Sequence, residues 1–82
     1  MMAQKWVVEK QKYEPYELPG ENCSLYEEDM DRIVTCAQCG EPMVYGLGYC
    51  SREVHTEVGL AYIVCEDCYR MEWQRKADFE NR

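Results

Sequence analysis

Two Cys-x-x-Cys pairs, Cys36-Ala37-Gln38-Cys39 followed by Gly40, and Cys65-Glu66-Asp67-Cys68, constrain this chain more than anything else in it. Residues 40–64 lie between the pairs. Two residues between cysteines let a tight turn aim both sulfurs at one ion, and two such turns complete a tetrahedron of soft donors. The spacing therefore predicts one structural Zn²⁺ held by Cys36, Cys39, Cys65 and Cys68. An 82-residue chain needs such help. At this size only roughly 60% of the unfolded surface is buried on folding, and a metal or disulfide staple is common.

The alternative use of six cysteines is a disulfide framework in a secreted protein. Residues 1–12 (MMAQKWVVEKQK) hold no apolar run of signal-peptide length, and no segment approaches the ~18 apolar residues of a membrane span. The expectation is a cytoplasmic protein with reduced cysteines and no membrane association. A dithiol redox protein is a further alternative; two pairs separated by a hairpin suit metal better than the single motif of a thioredoxin-like βαβ unit.

The formal net charge is −7. Four thiolates around a divalent ion lower it by two more. Acids concentrate between Tyr13 and Asp31, where no Lys or Arg occurs. A phosphate backbone is repelled by such a segment, and clustered Lys/Arg is needed for counterion release. Nucleic acid is therefore not the expected partner. Acidic residues often serve solubility alone; the sharper reading is that they face a basic surface on a partner protein. Tyr13, Tyr16, Tyr26, Glu27, Glu28 and Asp29, with Trp73 further on, are the candidate partner-binding residues.

Residues 1–32 read as an N-terminal acidic, aromatic arm that packs on or extends from the module, and residues 33–82 as the metal-binding domain. Trp6-Val7-Val8 suits a short strand. Pro15 and Pro19-Gly20 are breakers, and Ser24 with Glu27 fits a capping box for a helix over 24–31. Arg32–Thr35 suits a brief strand. Met43–Tyr49 alternates with period two, with Gly46 and Gly48 on the face that allows close approach. Ser51–Glu57 reads as a polar connection, and Val58–Val64 as the second strand of a hairpin. Glu66–Asn81 lacks Gly and Pro and starts with two acids, as a helix does. Tyr69, Trp73 and Ala77 form a stripe on it, expected to pack against the hairpin.

A Cys-x-x-Cys-Gly knuckle, a hairpin, and a Cys-x-x-Cys opening a helix resemble the treble-clef zinc-finger group over residues 33–79, and the broader zinc ribbons less closely. The resemblance implies a small α+β domain in which zinc is a closed structural staple. It is nearly silent on function, because the group includes binders of DNA, RNA, proteins and lipids as well as nucleases. His55, the single histidine, is too few for a nuclease-type second metal. Cys23, Cys50 and His55 could ligate a second ion; otherwise Cys50 is a small strand residue and His55 a loop residue. The leading expectation is a non-enzymatic protein-interaction module or regulator. One version, an inhibitor from a phage or mobile element, would occupy a partner's nucleic-acid channel. The main alternative is a nucleic-acid-binding finger using Arg52, Arg70, Arg75 and Lys76.

Overall fold

The computed structural model describes residues 2–22 and 30–82. They form a small α+β unit of six strands and one helix: β1 (Met2–Val7), β2 (Lys12–Glu17), β3 (Ile33–Thr35), β4 (Pro42–Val44), β5 (Tyr49–His55), β6 (Ala61–Val64) and α1 (Glu66–Glu80), with a single 3₁₀ turn at Tyr45–Leu47. An antiparallel sheet in the order β2-β1-β5-β6 carries the helix, and β3 and β4 make a separate two-stranded pair. Among the described residues no helix is long and apolar enough to cross a membrane.

Where an arm is expected, residues 2–17 are two strands of the main sheet. The turn between them closes through the Lys10 and Gln11 N–H groups on the Val7 carbonyl, 3.1 and 2.8 Å away, and Gln11 takes a positive φ of 53°. Its side chain donates to the Val8 carbonyl at 2.6 Å. Pro15 reads as a breaker in the sequence but sits in β2, the edge strand, where a missing N–H can face solvent. β1 then pairs with β5 (Gln4 opposite His55, Lys5 opposite Val54). Gln4 Nε2 reinforces the pairing by donating to the Thr56 carbonyl at 2.7 Å. The 24–31 helix expected from the capping box, together with Cys23, Tyr26, Glu27, Glu28 and Asp29, falls mostly or wholly outside the described residues.

The central hairpin is shifted from its expected place. The alternating stretch 43–49 breaks into β4 and the 3₁₀ turn, and the supposedly polar connection 51–57 supplies most of β5. Ser51, Glu53 and Val54 are buried there, the first two because partners on α1 and the knuckle satisfy them. The expected strand over 58–64 shortens to β6. Thr56 Oγ1 accepts from Leu60 N–H at 3.0 Å, and Thr56 N–H donates to the Leu60 carbonyl at 2.8 Å. Gly59 with φ 91° completes this loop, leaving Val58 exposed.

The glycine-bearing face is approached from within the chain. A Cβ on Gly48 would collide with Ile63 Cγ2 and Met43 Cε, and one on Gly46 would lie 2.7 Å from the Met30 carbonyl oxygen. The main core gathers Ala3, Leu18, Cys36, Ala37, Val54, Tyr62, Val64 and Cys68; a smaller cluster joins Val34, Tyr45 and Ile63. Each fully buried valine contributes about 1.5 kcal/mol or more. The outer edge of β6 is closed by Asn22. Its Nδ2 donates to the carbonyls of Thr35 and, at 2.9 Å, Ile63, while its Oδ1 accepts from Ile63 N–H at 3.0 Å.

Candidate metal centre

The β3–β4 pair aims the first two cysteines. Cys36 N–H donates to the Glu41 carbonyl at 2.8 Å and Gly40 N–H to the Cys36 carbonyl at 3.1 Å, with Gly40 at φ 79°, a geometry glycine adopts without Cβ strain. The Ala37 N–H then anchors the turn to the Ile63 carbonyl at 3.1 Å. The second pair comes from the start of α1. Cys65 is its N-cap, and Cys68 lies one turn in.

The sulfurs of Cys36, Cys39, Cys65 and Cys68 all lie within 4.8 Å of one another, and those of Cys39 and Cys65 are 3.9 Å apart. Four sulfurs at ~2.3 Å from a central ion would stand about 3.8 Å apart, so these residues fit a tetrahedral metal ion. Cys36 and Cys68 are buried, Cys65 is half-buried and Cys39 is exposed.

The thiols differ in how readily they ionise. Burial alone would push Cys36 up. Backbone N–H groups of Cys39, Cys65 and Gln38, with a smaller contribution from the Cys39 thiol, outweigh that and hold it at about 7; the Cys65 N–H lies 3.3 Å from its sulfur. Cys68 is pushed well above the usual thiol range by burial and by the neighbouring Cys65 and Cys39 thiols. A metal ion entering the site therefore finds one readily formed thiolate and must expel protons from its neighbours.

Among the described residues, the four cysteines are the only group of three or more side chains able to hold a metal together. Cys50 is exposed near one end of β5, and His55 is half-buried at the other. The imidazole Nδ1 of His55 is buried with no hydrogen-bond partner. Burial depresses its proton affinity, opposed by the charge of Glu72 and by backbone contacts at Glu53 and Ser51.

The structure also contains a polar network that the sequence reading overlooks. Glu72 is 1% exposed. Its Oε2 accepts from Ser51 Oγ at 2.6 Å and Gln38 Nε2 at 2.8 Å, and its Oε1 from Arg52 N–H at 2.7 Å. Gln38 also donates to Glu53 Oε1 at 2.9 Å, and Arg75 grips Glu53 with two bonds of 3.0 and 2.7 Å. These bonds to Glu53, with the charges of Glu53 and Glu72, raise the Arg75 pKa further. Gln38 lies between the two knuckle cysteines, so the network ties the metal turn to β5 and α1. The available signal was helical phase: Cys68 must face the metal, and Glu72 and Arg75 follow it at i+4 and i+7.

That same phase keeps only part of the expected stripe against the hairpin. With Cys68 inward, Tyr69 stays half-buried, packed on the core and stacked on Tyr49 of β5 as expected, whereas Trp73 turns to the rim, 43% exposed, and Ala77 is exposed. Of the other candidate partner residues, Tyr13 is exposed, with its ring edge against Trp6 and His55. Tyr16 is half-buried and donates its hydroxyl to the Ala37 carbonyl at 2.6 Å.

No family model, no curated protein and no solved structure matches this chain.

Proposed function

We propose that this chain is a zinc-stapled, non-catalytic protein-interaction module with a treble-clef-like knuckle, hairpin and helix. The observation that carries the reading is the convergence of four cysteine sulfurs on one point. An all-sulfur tetrahedral set suits zinc, and a set closed by four protein ligands leaves no position for a reacting water.

The helix cations favour a protein partner over nucleic acid. Arg70 pairs with Glu66, Arg75 with Glu53 and Lys76 with Glu80, so few charges are left to displace counterions from a phosphate backbone. A partner with a basic surface suits the net charge of −7.

Native mass spectrometry of the purified chain tests the metal assignment, with one zinc per chain expected. Chelation should abolish most of the far-UV helical signal, since structural zinc supplies ~10–16 kcal/mol in small peptides. A metal-free chain that stays folded and cycles as a dithiol would overturn the reading in favour of redox chemistry. Tight oligonucleotide binding at low salt would overturn the choice of partner.

A further inference from the structure

The four sulfurs of the metal centre do not meet solvent equally. Cys36 is 0% exposed and Cys68 8%, whereas Cys39 is exposed and Cys65 half-buried. The two accessible cysteines come from different pairs, one on the knuckle turn and one at the N-cap of α1, yet their sulfurs are 3.9 Å apart. An open hollow of about 190 Å³, bordered by Cys39, Cys68 and Arg75, gives a small solute a path to the Cys39 side of the centre.

This asymmetry decides what an oxidant meets. Oxidation of a thiolate follows its exposure, so Cys39 is the first sulfur a peroxide encounters. Its possible partners differ in position. Cys36 is fully buried, and its sulfur accepts from the Cys65 N–H at 3.3 Å. Cys68 borders the hollow but is held in the first turn of α1. Cys65 lies just outside the helix in extended backbone, with φ −73° and ψ 165°. A disulfide needs its sulfurs about 2.0 Å apart, and side-chain rotation at Cys39 and Cys65 can close the difference.

We propose that Cys39 and Cys65 form a peroxide-responsive pair, whose oxidation exchanges the bound metal for a disulfide joining the same two elements. The Cys39 thiolate attacks one peroxide oxygen. The O–O bond breaks, Cys39 becomes a sulfenic acid, and the departing hydroxide takes a proton to become water. The Cys65 thiolate then attacks the Cys39 sulfur. An S–S bond forms, the S–O bond breaks, and hydroxide again leaves as water with a second proton. Two thiolates together lose two electrons, and one peroxide is reduced to two waters. Cys36 and Cys68 remain as thiols, too few to retain the ion. The new bond ties the knuckle turn to the start of α1, and the bonds from Gln38 and Ser51 to Glu72 already fasten that turn and helix to β5. A thiol reductant reverses the exchange. The inference rests on the zinc-staple reading and gives that site a chemical response.

The test uses the zinc-loaded full chain carrying Cys23→Ser and Cys50→Ser, which keeps all four ligands. Hydrogen peroxide is added in excess, and zinc loss is followed by native mass spectrometry. The linkage is read after proteolytic cleavage at Glu66, which separates Cys65 from Cys68, with fragmentation to distinguish Cys36 from Cys39. The expected result is about one zinc lost per disulfide formed, with Cys39–Cys65 as the main linkage. Most of the far-UV helical signal should be kept, and zinc should rebind after reduction. Chelation without oxidant is the comparison; there the helical signal is lost, because no bond replaces the metal. A main linkage within either Cys-x-x-Cys pair or to Cys68 would overturn the proposal. So would sulfinic acid at Cys39 without a disulfide, zinc retained in excess peroxide, or a helical signal that falls to the chelated level on oxidation. A chain that carries no zinc when purified under reducing conditions overturns the staple reading and the proposal together, whereas a zinc-loaded chain with another linkage overturns the proposal alone.

Discussion

Glu72→Gln isolates the contribution of the buried carboxylate, because it preserves shape and removes one acceptor. Glu72 accepts from three donors, Ser51 Oγ and Gln38 Nε2 on one oxygen and Arg52 N–H on the other. An amide has one acceptor atom. If that atom faces Arg52, its NH₂ group opposes the donors of Ser51 and Gln38. If it is flipped, the NH₂ opposes a backbone N–H that cannot turn away. At least one hydrogen bond to a charged group is lost, worth ~1.5–3 kcal/mol, and a buried donor is stranded at ~1–3 kcal/mol. Partial rearrangement of Gln38 recovers some of this, so the expected loss is about 2–3 kcal/mol. Glu72→Ala, which also empties the space, should lose about 3–5 kcal/mol. Domains of this kind have ~5–15 kcal/mol in total, so both effects are large. Urea and thermal unfolding of the zinc-loaded protein measure them, with a melting-temperature drop of about 8–24 °C expected for Glu72→Gln. Exposed Glu66→Gln should change stability by less than about 0.5 kcal/mol. If Glu72→Gln matches that control, the network is not holding the knuckle to the helix and the reasoning fails.

Three further outcomes follow from the packing. His55 is held neutral by burial, so its folded-state pKa lies below the ordinary value of about 6.5; the stability it contributes is complete above that pH and declines as pH falls through and below it. His55→Phe should flatten the pH dependence of unfolding on the acid side of 6.5 relative to wild type, and an unchanged slope would refute the assignment. Gly48→Ala should destabilise by about 1–3 kcal/mol in thermal unfolding through collision with Ile63 and Met43; a neutral effect would mean that the two strands can separate freely there. Asn22→Ala removes both contacts to Ile63 and one to Thr35, and faster amide exchange at Ile63 with a loss of about 2–3 kcal/mol is expected; unchanged exchange would show that Asn22 does not close the edge.

The cysteine cluster and the helix were legible because each is a local statement. Cysteine spacing sets the turns, and an uninterrupted run of helix formers after Cys65 sets α1. What was missed depends on partners distant in sequence. Ser51 and Glu53 look like loop residues until Glu72, Gln38 and Arg75 are brought to them, and a strand with satisfied polar side chains has no hydrophobic alternation to betray it. Trp73 was assigned inward by apolar periodicity, but the buried Cys68 and Glu72 set the helix rotation and leave Trp73 at the rim. Pro15 was read as a stop because edge position, which makes it acceptable in a strand, is a property of the whole sheet. Glu14 and Glu17, the start of the acidic stretch, likewise masked the second strand of a hairpin, which has one solvated edge.

The pairing of β1 with β5 imposes an order of events on the growing polypeptide. The β1–β2 hairpin is synthesised first, yet Gln4 and Lys5 must wait for Val54 and His55 before the sheet can form. At ~5–20 residues per second, the hairpin spends roughly 2–8 s with one edge unpaired and Trp6 lacking its final surroundings. Two-stranded ribbons are marginal in water, so this interval is when the chain is most open to chaperones and to mispairing with other nascent chains. Because β5 is completed shortly before Cys65 and Cys68 emerge, metal capture by the four cysteines would come last and lock an arrangement already begun. Metal supply would then govern the yield of finished protein more than the speed at which it starts to fold.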